Sequence, residues 1–224
     1  MVGLPVPGFQ SFDLPLTYEC EVKFPRKTRI NEDIFTQYNN LTASIFGVKT
    51  VSSNSDSDFT EVPSTELFWV WAEKQGNPSE PARSDSDDIR FYCSGSAFGV
   101  LTSSIYPDAY SNEEWLLSVS FETDKLTDRY LDSKVEASGT VKFRGVNTAG
   151  DYVANFFEVT KNIDKDDYNA RQILPKRSWC GAKRTNFVGT LDDPTDVRIG
   201  SMRGYLAALS NEELKAHARD AKNI

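Results

Sequence analysis

An all-β, two-sheet antiparallel sandwich carrying one short C-terminal helix is the fold this sequence predicts. Three observations carry that reading. Apolar and polar residues alternate with a period of two in several separate stretches, a helical period is convincing only once, and short turn-forming segments lie between the stretches. In the first stretch Tyr18, Cys20, Val22 and Phe24 point one way and Glu19, Glu21 and Lys23 the other, as a sheet with one buried and one wet face requires. Trp115, Leu117, Val119 and Phe121 repeat the pattern, with Ser118 and Ser120 in the opposite set, and Val141 and Phe143 alternate with Lys142 and Arg144. The separating segments are rich in residues that favour turns: 52–58, Gly76-Asn77-Pro78, 84–88 and Asp192-Asp193-Pro194.

The helix is specified over residues 210–221. Ser210 is its N-cap and Glu213, three residues on, completes a capping box in which each side chain serves the other's free backbone N–H. Leu209 before the cap and Leu214 inside form a hydrophobic staple. Leu214, Ala218 and Ala221 make a narrow apolar stripe, sufficient for packing against a sandwich but too weak for a free helix of this length.

Length and composition set the outer bounds. The 224 residues suit one large all-β domain, 1–224, with residues 1–17 as an N-terminal arm; no tandem repeat and no bland linker divides them. Hydrophobic residues at 39% and charged residues at 26% are a globular composition. The balance of 25 Lys+Arg against 33 Asp+Glu gives −8, which repels a phosphate backbone, and no basic patch offsets it, so nucleic acid is not an expected partner. The longest apolar run, Leu67 to Ala72, is far short of the roughly 20 residues of a membrane-spanning helix, so no membrane partner is expected. Met1-Val2-Gly3-Leu4-Pro5 has no basic stretch before an apolar block, so a secretory signal is not expected. Cys20, Cys93 and Cys180 are odd in number and widely spaced, which predicts free, mostly buried thiols.

Much of the final third reads as recognisable text: Trp179-Cys180-Gly181-Ala182-Lys183-Arg184-Thr185-Asn186-Phe187-Val188-Gly189, then Asp196-Val197-Arg198-Ile199-Gly200-Ser201-Met202-Arg203-Gly204-Tyr205, then Leu209-Ser210-Asn211-Glu212-Glu213-Leu214. This order resembles the end of concanavalin A-like, laminin-G-like jelly-roll domains. Glu114 to Phe121 is similar to the strand before their long central loop, and Val141 to Asn147 to the strand after it. Together these cover roughly Phe91 to Ala221. Lys176-Arg177-Ser178-Trp179-Cys180-Gly181-Ala182, Arg203 and His217-Ala218-Arg219-Asp220 further resemble modules of bacteriophage virion proteins. The resemblance implies a jelly roll at a capsid or tail surface, located in the virion, with other virion proteins or further copies of itself as partners.

Candidate sites are few. Jelly-roll glucanases carry a Glu-x-Asp-x-x-Glu strand; Glu122-Thr123-Asp124 begins that pattern, but Lys125-Leu126-Thr127 follow and the third carboxylate is missing. The single histidine, His217, falls on the helix with Asp220 one turn on, a local pair rather than a relay. No phosphate-cradling glycine motif occurs. These readings predict no catalytic and no cofactor-binding residues. Calcium is the one cofactor considered, because hard cations take oxygen ligands: Asp56 with Asp58, Asp85 with Asp87 and Asp88, and Asp192 with Asp193 and Asp196 each cluster carboxylates, none at fixed ligand spacing. Asn40-Leu41-Thr42 matches a glycosylation acceptor and has little weight by itself.

Trp69 and Trp71 share a strand face with Leu67, which assigns them to the core and leaves Phe68 and Val70 on the other face. Apolar residues on both sides predict that the second face is covered too, by a loop or by a partner. The functional expectation is a non-enzymatic virion module acting through protein contacts; the alternative is a lectin-like module that binds a cell-surface glycan, with calcium as an aid.

Overall fold

A computed structural model describes residues 4–6, 15–26, 41–51, 63–75, 88–123, 139–164, 176–184 and 190–220. Two antiparallel sheets face each other. The six-stranded sheet has the order β1-β10-β3-β4-β5-β6, built from β1 (Leu4–Val6), β3 (Thr42–Val51), β4 (Pro63–Lys74), β5 (Ile89–Gly95), β6 (Gly99–Tyr106) and β10 (Lys176–Cys180). The five-stranded sheet has the order β13-β2-β7-β8-β9, from β2 (Leu16–Lys23), β7 (Glu114–Thr123), β8 (Gly139–Ala149), β9 (Tyr152–Ile163) and β13 (Arg198–Tyr205). Strands β11 (Lys183–Arg184) and β12 (Leu191–Asp193) pair apart from both sheets, so Asp192 and Asp193, expected in a turn, lie in a short strand. Residues Leu4–Val6 of the expected arm pair with β10.

The two-sheet sandwich predicted from periodicity, with the jelly roll that the resemblance implies, is thus the fold observed. Alternation places Tyr18, Cys20 and Val22 of β2, Phe91 and Cys93 of β5, and Val141 and Phe143 of β8 in one core. Rings from the two sheets meet there: Phe68 lies 6.0 Å from Phe121, and Phe91 lies 4.9 Å from Trp115. Each such ring contributes about 1.5–3 kcal/mol on burial. Cys20 and Cys93 are buried as free thiols whose pKa the apolar surroundings push upward, and Cys180 is a half-buried free thiol.

Strand β4 corrects one expectation. Phe68, Val70 and Ala72 fill the core, whereas Trp69 and Trp71 project outward. A bulge is the cause: Val48 pairs with Phe68 but Lys49 with Glu66, so Leu67 is an extra residue and turns inward beside Phe68. Indole chemistry agrees, because a buried N–H needs an acceptor. Trp69 Nε1 donates to Ser44 Oγ at 3.2 Å and Trp71 Nε1 to Glu73 Oε1 at 2.9 Å, acceptors that a core of Phe68 and Val70 lacks.

The helix α1 (Asn211–Asp220) packs on the outside of the five-stranded sheet. Its capping box forms as read: Ser210 N donates to Glu213 Oε2 at 2.7 Å, and Glu213 N to Ser210 Oγ at 3.2 Å. Leu209 and Leu214 join Leu116 and Val146 in a second apolar cluster between helix and sheet.

Candidate functional site

The two outer faces of the sandwich hold different chemistry. On the six-stranded sheet, register puts Trp179, Gly47, Trp69, Ser94 and Val100 in one row across β10, β3, β4, β5 and β6, and Ser44, Trp71, Tyr92 and Thr102 in the next. Trp69 and Trp71 stack with ring centroids 4.1 Å apart, and Trp71 and Tyr92 stack at 5.2 Å and 8°. Lys183 Nζ, delivered by the β11–β12 pair, sits 3.8 Å over the outer face of this stack at Trp69 and also contacts Glu66 Oε1 at 3.2 Å. Lys183, Trp69, Trp71 and Tyr92 therefore form one file, closed by a cation at one end. At the other end, among the described residues, Tyr92 has one ring neighbour only, Trp71.

Polar groups surround the open end. Arg90 lies two residues along β5 on the same face, Thr102 lies opposite Tyr92 in register, and Glu73 holds the Trp71 indole. The Tyr92 hydroxyl is pushed above its ordinary pKa by burial and then by Glu73. Among the described residues Arg90 Nε is buried without a hydrogen-bond partner, and so is Trp179 Nε1. Trp179 fits because Gly47 has no side chain: a Cβ there would stand 2.6 Å from Trp179 Cζ2. Lys49, on the same face, has its pKa lowered by burial. Strand periodicity carried the signal for this surface, but the bulge at Leu67 reversed which side it marked.

The outer face of the five-stranded sheet is a buried polar network under α1. Arg144, 1% exposed, donates from Nη1 to Leu209 O at 2.7 Å and to Asn211 Oδ1 at 3.1 Å, and from Nη2 to Ser120 Oγ. Glu19 is fully buried although alternation places it on a wet face. Its carboxylate accepts from Tyr205 Oη at 3.0 Å, lies 2.8 Å from Arg203 Nε in an ionic contact whose N–H is not aimed at the oxygen, and meets His217 Nδ1 at 3.1 Å. His217 thus faces Glu19 across the helix–sheet seam, where the sequence pairs it with Asp220.

The remaining sequence candidates are dispersed. Glu122 forms an ion pair with Lys142 at 2.7 Å, and Asp124 lies outside the described residues. Asp196 is engaged internally, accepting from Lys74 Nζ at 3.1 Å and from Tyr110 Oη at 2.7 Å. Asp88 accepts from Asp108 N at 3.2 Å. Asp56, Asp58, Asp85, Asp87 and Asn40 lie outside the described residues. Among the described residues no three His, Cys, Asp or Glu side chains are grouped to hold a metal.

No family model matches the chain, and no curated protein matches its sequence. Among solved structures it is similar to the crystal structure of an alginate lyase from Pseudomonas aeruginosa at 8% identity and a TM-score of 0.42, covering 89% of this chain and 68% of the other. That likeness is too distant to transfer an activity. The comparison supports neither the expected virion role nor the expected lack of enzymatic activity, and neither is retained.

Proposed function

We propose that the chain binds a glycan on the outer face of the six-stranded sheet, with Tyr92 as the stacking ring and Arg90, Thr102 and Glu73 as partners for sugar hydroxyls. The observation that carries this reading is the file of Lys183, Trp69, Trp71 and Tyr92, closed at Lys183 and without a second ring neighbour at Tyr92 among the described residues. Sugar C–H faces pack on such a ring, and a few fixed polar groups beside it set orientation. Packing against Trp71 holds the Tyr92 ring, so little side-chain freedom is lost on binding.

The test is a titration of the protein with neutral oligosaccharides (cellohexaose, chitohexaose) and acidic ones (alginate, polygalacturonate), read by calorimetry. Saturable binding to one class, weakened about tenfold or more in Tyr92→Ala and in Arg90→Ala, is the expected result. Absence of binding across the panel, or binding indifferent to both substitutions, would overturn the reading. Chromatography of the same mixtures reports whether a bound chain is also shortened.

A further inference from the structure

The opposite sheet carries a second opening. A cavity of about 290 Å³ lies beside α1, at the junction of β13, β2, β7 and β8, just below the roughly 300–1,000 Å³ typical of small-molecule sites. Its outer-face apolar lining includes Leu116, Val146 and Ala218, all members of the helix–sheet cluster.

A bulge opens its edge. The β13–β2 register slips between Ile199 and Met202, taking Gly200 and Ser201 out of the ladder. Gly200 keeps the space clear, since a Cβ there would come within 3.0 Å of Glu21 Oε2.

The charges around it do not cancel. Lys23 and Glu114 neutralise each other at 2.7 Å, and Glu21 is held by Arg203. Arg198 and Arg219 remain. Arg198 is exposed and makes no ion pair among the described residues, and Arg219 uses Nε to donate to Lys215 O at 3.2 Å, with no hydrogen bond from either Nη among the described residues. Two guanidinium groups beside an apolar lining match a ligand with a carboxylate head and a short hydrocarbon body, because the planar fork of arginine pairs with carboxylate through two parallel hydrogen bonds.

We infer that this cavity is a binding site for a small amphiphilic carboxylate, with Arg198 and Arg219 taking the head and Leu116, Val146 and Ala218 the body. The site is separate from the Tyr92 surface and does not depend on glycan binding.

The experiment uses anilinonaphthalene sulfonate as a fluorescent probe on the full chain, displaced by octanoate, acetate or octanol. Octanoate displaces the probe; acetate, which lacks the body, and octanol, which lacks the charge, are each weaker by about tenfold or more. The Arg198→Gln/Arg219→Gln double variant loses octanoate binding by a similar factor while its melting transition stays in place, because both side chains are exposed. Equal displacement by acetate or octanol, or unchanged octanoate binding in the double variant, would overturn the assignment. A hexasaccharide that removes the probe as octanoate does would overturn the separation of the two sites.

Discussion

The two outer faces of this sandwich begin from the same alternation and end in opposite solutions. On the five-stranded sheet the outward residues include Glu19, Ser120 and Arg144, and a helix covers them, so each buried polar group has to find partners within the protein. On the six-stranded sheet the outward residues include Trp69, Trp71 and Tyr92, and these cover one another by stacking. A covered polar face ties its side chains to the fold. A self-stacked aromatic face leaves ring edges and one terminal ring for a ligand, and on that difference rests the proposal that a glycan binds at the six-stranded sheet.

The largest expected effect lies on the covered face. Arg144→Ala removes the donor to Leu209 O, Asn211 Oδ1 and Ser120 Oγ under the helix, and urea denaturation should show a loss of about 3 kcal/mol or more. A loss below about 1 kcal/mol would mean that water already serves those groups and that the faces differ less than argued.

Gly47→Ala probes the aromatic face at its tightest point. The added methyl would stand 2.6 Å from Trp179 Cζ2 and 2.8 Å from Phe68 O, an overpacking that costs about 2 kcal/mol and displaces the Trp179 indole. Unfolding together with the change in tryptophan emission measures both effects.

Lys176 supplies a pH test. It is 1% exposed, and burial pushes its pKa from 10.5 down to about 8. Below pH 8 the amine is charged in both folded and unfolded chains and the burial cost is fully present. As pH rises from about 8 to 10.5 the folded chain gives up the proton first, so stability rises through that window. The buried Cys20, Cys93 and Tyr18, whose pKa values are raised, act in the opposite sense as pH rises. Wild type should therefore gain stability relative to Lys176→Met between pH 8 and 10.5, measured by denaturation at each pH. A constant difference would contradict the assignment.

Lys183→Ala gives the smallest change. Removing the cation over Trp69 and its contact with Glu66 costs about 1 kcal/mol or less, but it opens a second ring face and should alter glycan affinity more than stability.

How far the sequence reaches depends on where the physics is local. The capping box of Ser210 and Glu213 and the staple of Leu209 with Leu214 involve residues within one turn or so, and both form as read. The alternation of β2 likewise follows from period two and one dominant core. Strand β4 was ambiguous because both of its faces are apolar, and the bulge that decides them depends on how β3 pairs with it. Glu19 was legible only as a wet-face residue: its partners Arg203, Tyr205 and His217 lie more than 180 residues further along the chain, and no local pattern announces the helix that buries it. Of the proposed glycan surface the sequence showed Trp69 and Trp71, read there as core, but neither Tyr92 nor the stacking, which is a property of register across three strands.

The most direct test of the central claim uses the indole N–H resonances of the four tryptophans in a two-dimensional NMR titration with the oligosaccharide that binds. Trp69, Trp71 and Trp179 share the six-stranded outer face, whereas Trp115 lies 2% exposed in the core with its Nε1 bound to Glu113 Oε2. Saturable shifts led by Trp71, which stacks on Tyr92, with Trp115 unmoved, are the predicted result. Shifts confined to Trp115 and the residues under α1, or four unmoved resonances while ligand binds, would contradict it.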